Sequence, residues 1–409
     1  MHLNFTKSLH RGILVFTALV AGYSCSAQTL STVAGTGAAG YNGDDEPATA
    51  TQLWSPAGIA LGGGGVYVAD GLNNRIRVVS SQGKVSTIAG VEDPGSAGDG
   101  GPATDGQLSD PEGIAIDGQG NVYIADKFNN SIRKITPAGV ISTVAGTGEA
   151  GYSGDGGLAV SCKLNGPTNI TFDRENNMYI TDAGNNCIRM MTQAGEIMTI
   201  AGTGKAGFNA KAKRATMAML NAPRGVAVDS IGNIYIADAL NYVVRKVTPT
   251  GDISTVAGTN ASGYSGNDDT AMYATLNMPT GVALDKGGNI YIADQGNNCI
   301  RKINTEGIIS TVPITQTDSA GRLVAPLCIV IDGGGNIYVS EQRSNRVRKI
   351  TPAPPVIVVK KKKDDSKPYV PPPFTMPGSH FINSPVRPMG NQPMPTNYGG
   401  TPVRATNKG

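Results

Sequence analysis

Histidine is missing from the middle of this chain. The three present are His2, His10 and His380, so residues 28–352 have none. That stretch therefore lacks the side chain best suited to proton transfer near neutrality and the commonest nitrogen ligand for metals. A serine nucleophile would have no imidazole base. No catalytic residue, metal site or cofactor is assigned on these grounds. Aromatics are scarce at 5%, with a single tryptophan, Trp54. After the first 27 residues no apolar run is long enough to span a bilayer. Positive charge is also wanting where it would matter. The formal charge is +3, but residues 353–409 carry a net +6 and residues 1–27 a net +2, which leaves −5 for the middle. A mildly acidic domain is a poor nucleic-acid binder, because such binding draws on neutralising phosphates.

What is abundant is glycine, 55 residues, and it falls in a pattern. Copies of the stretch "YIADQGNNCIRKI" (291–303) recur along the chain, and their first acids are Asp70, Asp126, Asp182, Asp238, Asp294 and Glu341. Four spacings are 56 residues and the last is 47. A fixed period of this size signals a repeat architecture. Within one period the runs 111–117, 121–126, 131–135 and 140–146 are short, apolar and β-branched, with Gly, Asn, Asp and Pro between them, which predicts four antiparallel strands. No segment holds a 3.6-residue apolar period, so helical solenoids are excluded. Four-stranded units bury their faces by packing in a ring, so the expected fold is an all-β six-bladed propeller. The sixth copy lacks its "STVAG" strand, whereas the chain carries a spare one at 30–35. The N-terminal strand is therefore expected to complete the last blade and protect the edges at the closure.

These residues resemble the NHL-repeat proteins, whose blades read much like "GNxYIADxxNxxIRKI" followed by "STVAGTG". The resemblance covers about residues 29–352, in six copies. It implies a six-bladed propeller used mainly as a binding surface, in a family that also has enzymatic relatives, so fold does not decide activity.

The sequence divides into residues 1–27, the propeller at 28–352, and a Pro-rich tail at 353–409 that is read as disordered. Lys7, Arg11, an apolar stretch from Gly12 to Gly22 and Ser24-Cys25-Ser26-Ala27 read as a secretory signal cut after Ala27. The alternative is a lipoprotein acylated at Cys25. The expected place is thus secreted, periplasmic or cell-surface. Export permits disulfides among Cys162, Cys187, Cys299 and Cys328. Cys187 and Cys299 hold the same slot in different blades, too far apart to bond. Of the remaining options the favoured one pairs Cys162 with Cys187 and Cys299 with Cys328, against free buried thiols.

A residue present in every blade has equivalent environments around the ring, whereas a site needs one. The repeated Asp, Asn and Arg are accordingly read as structural: Asp294 binding the backbone of the turn that follows, Asn297 and Asn298 taking its unusual dihedrals, and Arg301 pairing with an acid or carbonyl. Function is sought where blades differ. The loops between blades and the turns like 294–298 open on one face, and this long-loop face is the natural binding face. The position after the proline that opens each innermost strand reads Ala57, Glu112, Thr168, Arg224, Thr280 and Leu327. Glu112, Thr168, Arg224 and Thr280 are candidate ligand contacts at the channel mouth. The acidic slot of the long loops reads Asp44, Asp99, Asp155, Lys211 and Asn267, so Lys211, with Lys213 and Arg214, marks a candidate anion patch. Trp54 stands where other blades have Asn165, Asn221 or Asn277 and is a candidate for stacking on a sugar or peptide. Calcium is not assigned, since these loops lack a spaced run of oxygen ligands. The reading is an exported, monomeric, non-catalytic propeller that binds a protein, peptide or glycan. The alternative is an extracellular lyase or hydrolase acting at the channel mouth.

Overall fold

The computed structural model describes residues 28–353; the signal and tail readings lie outside them. Each repeat forms one antiparallel sheet. In blade 2 the strands, from the channel outward, are Pro111–Ile116, Val122–Asp126, Ser131–Ile135 and Ile141–Ala145. Six such sheets close the ring. The alternation of β-branched and small side chains drives this, because each sheet buries both faces against its neighbours. Ala125, Ile132, Leu164, Ile170 and Ile180 of blades 2 and 3, for example, share one core.

The ring closes as the sequence predicts. Gln28–Ala34 runs antiparallel to Arg346–Thr351 in the sixth sheet, with Leu30 opposite Ile350 and fully buried. A short parallel strand, Ile314–Thr317, covers its outer edge.

Innermost strands approach so closely that side chains are nearly excluded between them. A Cβ added at Gly58 would lie 2.2 Å from Glu112 O, and one at Gly225 2.4 Å from Thr280 O. Asn169 and Cys328 replace this glycine in blades 3 and 6. There the Asn169 Oδ1 accepts from Val226 N–H at 3.3 Å, and Cys328 Sγ lies 4.0 Å from Ile59 O.

Every seam but one carries the same bond. The last residue of each turn after the second strand is left-handed (Asn74, Asn130, Asn186, Tyr242, Asn298, Asn345). The asparagines among them accept, through Oδ1, the N–H of Asp110, Gly166, Ala222, Ala325 and Ser55 in the next blade at 2.7–3.1 Å. Tyr242 has no such acceptor, so Met278 N–H lacks this bond at the seam between blades 4 and 5. Tyr242→Asn should therefore stabilise the propeller by about 1 kcal/mol, and Asn130→Ala should cost about 1–2 kcal/mol. Urea unfolding of the two variants checks both signs; a destabilising Tyr242→Asn contradicts this account of the seam.

Candidate binding face

The repeated acids are buried and fully engaged. Asp70, Asp126, Asp182, Asp238 and Asp294 each accept, through Oδ1, a backbone N–H at the end of the long loop (Trp54, Ser109, Asn165, Asn221, Asn277) at 2.7–2.8 Å. The expected donor was the turn that follows. The structure corrects this, because the long loop returns over the second strand just before the innermost strand begins. The following turn contributes a side chain instead. Asn73, Asn129, Asn185, Asn241 and Asn297 each donate through Nδ2 to the acid and to a long-loop carbonyl. Asn298, not Asn297, takes the left-handed dihedrals. In blade 6 the longer Glu341 accepts from Val324 N–H, and Ser344 replaces the asparagine.

The paired arginines are almost entirely buried: Arg77, Arg133, Arg189, Arg245, Arg301 and Arg348. Five of them lie 3.4–3.7 Å from their strand acid. Five also reach a loop oxygen, from Asp44, Asp99, Asp155, Asn267 and Asp318, at 2.7–3.2 Å. Asp318, from the segment before blade 6, escaped sequence reasoning because it lies outside the repeated text. Aromatics of the long loops cap these arginines: Tyr152 over Arg189 at 5.1 Å, Phe208 over Arg245 at 5.3 Å and Tyr264 over Arg301 at 5.0 Å.

The long loops begin and end against the turn after the second strand, as Gly40 O and Trp54 N show in blade 1, so loops and turns do share one face. Their middles cross the outer rim. There Ala48 N–H donates to Gly83 O, and Pro47 bridges to Lys84. Arg214 sits on this rim, held by Thr250 O at 2.6 Å and Asp252 at 3.2 Å, rather than on the face.

The six channel-mouth positions do meet. Ala57, Glu112, Thr168, Arg224, Thr280 and Leu327 ring a cavity of only about 20 Å³, room for about one water. Thr168 donates to Arg224 O at 3.1 Å and Thr280 to Leu327 O at 2.9 Å, so neither hydroxyl offers itself to a ligand. Glu112 is buried between Lys127 at 2.6 Å and Arg224 at 3.6 Å. Lys127, a residue of the neighbouring turn, was not singled out in the sequence because nothing there places it beside the channel. Only Arg224, with its side chain about one-third exposed, looks outward.

Trp54 is 45% exposed and lines a hollow of about 220 Å³ with Tyr41, Leu72 and Arg75. Leu72 and, in the matching turn of blade 2, Phe128 are also exposed, at 45% and 63%. These side chains put apolar surface on the long-loop face above blades 1 and 2.

The opposite face holds two cavities that the short turns gave no reason to expect. One, of about 600 Å³, lies between blades 3 and 4 and is lined by Asp173, Glu175, Asp229, Ile231 and Pro249. Ile231, 74% exposed, is the apolar member of a turn that reads DGQGN, DRENN, DKGGN and DGGGN in blades 2, 3, 5 and 6, and that was the available signal. The other, about 400 Å³, is the apolar lower channel, lined by residues such as Ile116, Phe172 and Leu284.

The favoured cysteine pairing does not form: Cys162, Cys187, Cys299 and Cys328 are free. Cys162 Cβ packs beneath Gly154, Cys187 lies 4.0 Å from the Asp182 carboxylate, and Cys328 faces Ile59 of blade 1. Burial raises all four thiols, Cys299 to about 12. Among the described residues no group of three or more His, Cys, Asp or Glu is placed to hold a metal, and no helix is long and apolar enough to cross a membrane.

A closed ring of six four-stranded antiparallel sheets with one loop-bearing face defines a six-bladed β-propeller. The family model described as "Teneurin NHL domain" matches residues 91–152 and 261–322, and this match together with the six-bladed ring fits an NHL-repeat β-propeller. Teneurin-4 of Mus musculus is 31% identical over 257 residues, 56% of this chain. The chain spans only 9% of that protein's length. Among solved structures, an auxiliary nutrient binding protein from Bacteroides thetaiotaomicron superposes with a TM-score of 0.57 at 14% identity, over 80% of this chain and 77% of that one. A structural genomics protein from the same organism gives 0.57 at 20% identity, over 80% and 76%. Both show the fold.

Burial pushes the acids Asp70, Asp126 and Asp182 up to about 6 and Asp238 to about 7, against the hydrogen bonds that favour their charge. With folded pKa values above the ordinary 3.8, the stability they contribute is fully present below about pH 3.8 and lost as pH rises through 6 to 7. The turn acids Asp117, Asp229, Asp285 and Asp332 act oppositely. Burial opposes their charge, but hydrogen bonds from the following asparagine and the turn backbone hold them below 3.8, so their contribution is lost in acid. Calorimetry should show Tm higher at pH 5 than at pH 8, then falling below about pH 3.8; a Tm that rises from pH 5 to 8 would refute the assignment.

Proposed function

We propose that this protein is an exported, non-catalytic interaction propeller that recognises a protein, peptide or glycan on its long-loop face. The observation that carries the reading is the display of Trp54, Leu72 and Phe128 above blades 1 and 2, where the matching positions of blades 3 and 5 are asparagine and glycine. A solvent-exposed indole beside Tyr41, Arg75 and Leu72 is a natural anchor, offering a flat apolar face with polar groups at its rim. Arg224 adds a cation at the channel mouth, steadied by Glu112, and Lys211 another on the blade 4 loop. Thr168 and Thr280 serve the ring itself, and Arg214 the rim. Export rests on residues 1–27 and the cut after Ala27, with the Pro-rich tail as a tether or spacer.

The alternative, a lyase or hydrolase at the channel mouth, has less support. That mouth encloses about 20 Å³ and its hydroxyls are engaged.

A screen of the secreted protein against glycan and peptide arrays should yield a ligand whose affinity falls at least about tenfold, roughly 1.4 kcal/mol, in Trp54→Ala. Arg224→Ala should weaken the same ligand less. If Trp54→Ala and Arg224→Ala both bind every array hit as tightly as the parent, this surface is not the site.

A further inference from the structure

Blade 4 breaks the arginine rule. In the other five blades a loop oxygen caps the buried guanidinium and is itself held by a threonine of the outer strand: Thr87 on Asp44 at 2.9 Å, Thr143 N–H on Asp99 at 2.9 Å, Thr199 on Asp155 at 3.2 Å, Thr311 on Asn267 at 3.0 Å, and Thr32 on Asp318 at 2.7 Å. Arg245 has none of this. It is 1% exposed, and although Nε and Nη1 lack hydrogen-bond partners in Arg189 and Arg301 as well, among the described residues Arg245 alone of the six makes no hydrogen bond at all and no ion pair within 4.0 Å. Thr255, the matching threonine, lies opposite Arg245 in the strand register and makes no side-chain hydrogen bond among the described residues.

The cause is readable in the loop. Gly43, Gly98, Gly154 and Gly266 take φ between +82° and +102° just before the capping residue. Blade 4 has Ala210 there, and it does not adopt a positive φ. A side chain makes that conformation costly, so the loop folds instead through Ala212 N–H to Asn209 O. The capping position, already Lys211, is drawn away. A pocket of about 770 Å³ opens, lined by Phe208, Lys211, Lys213, Thr255, Thr259 and Met272, with Arg245 beneath Phe208 at 5.3 Å. A buried guanidinium without a hydrogen-bond partner is costly; Phe208 separates it from the pocket, and Thr255, opposite it in the strand register, and the two lysines line that pocket.

We propose that blade 4 is a binding site for an exogenous carboxylate, which seats between Arg245 and Thr255 where an acid of the chain itself sits in blades 1, 2, 3 and 6. The template is internal: Asp44, Asp99, Asp155 and Asp318 place a carboxylate oxygen 2.7–3.0 Å from the arginine Nη2. A planar carboxylate matches the guanidinium fork, and Lys211 and Lys213 favour anions at the opening. The site deepens the binding reading above, on which it rests for the direction from which a ligand arrives.

The test is calorimetric titration of the full chain with acetate and with N-acetyl-aspartate amide, using chloride at matched ionic strength and inorganic phosphate as controls. Acetate and the capped aspartate distinguish a free acid from an acidic side chain as the source. Either carboxylate should raise Tm. The Ala210→Gly/Lys211→Asp double variant, which restores the acid in cis, should show a Tm higher by about 2 °C or more without ligand and no further response to carboxylate. Arg245→Met should fold, and should lose at least tenfold in carboxylate affinity. Arg133→Met, which strands Asp99 and Asp126, should lower Tm more than Arg245→Met does. Equal carboxylate responses in the parent, the double variant and Arg245→Met, or an equal response to chloride, overturn the proposal. Array ligands that bind the double variant as before, once its carboxylate response is gone, leave the broader reading standing.

Discussion

The carboxylate at the end of each second strand is the constraint on which the ring depends. It fixes the returning long loop through a backbone N–H in all six blades, the following turn through an asparagine in blades 1 to 5, and the third strand through a buried arginine in every blade but the fourth. Three segments far apart in sequence meet on one charged group. Such a group, taken out of water, is tolerable only if every partner is in place. This is why acid, asparagine and arginine travel together through the repeats, and why the loop acids and loop aromatics that finish the cluster recur with them.

The same constraint organises the faces. Because the loop must return to the acid, its ends lie on one face while its middle crosses the rim, and Arg214 goes with the middle. Because innermost strands pack backbone to backbone through glycine, the channel narrows at the mouth and widens into an apolar well below. Symmetry is kept wherever packing demands it. Departures collect where a neighbouring group can absorb them: Glu341 lengthens to reach Val324, and Asn169 fills a gap against blade 4. The blade 4 loop covers Arg245 with Phe208 but brings it no oxygen.

Sequence and structure part at identifiable residues. The period, four strands, six blades and closing strand were legible because each is repeated six times or, for 30–35, conspicuously out of place. The structural reading of Asp294 and Arg301 was legible for the same reason. The partner of Asp294 was not: the donor is Asn277, 17 residues earlier, and no local pattern ties them. Asp318 caps Arg348 from a segment without repeat text, Lys127 reaches the channel by a side-chain path, and Cys162 and Cys187 share a blade without facing each other. Lys211 stood out as a change of charge, but the consequence lay in Ala210, whose effect is conformational.

The sequence alone determined the repeat, the strand count and the ring, because these follow from periodic apolar patterning and a fixed number of copies. It also singled out the positions that vary. Only the tertiary structure decided which of those positions reach solvent. Thr168 and Thr280 turn inward to backbone carbonyls, while Trp54 stays out and Arg245 lies buried beneath Phe208. Exposure and hydrogen-bond partnership are properties of neighbours brought from distant blades, and a one-dimensional pattern encodes the alternation of side chains but not who stands opposite them.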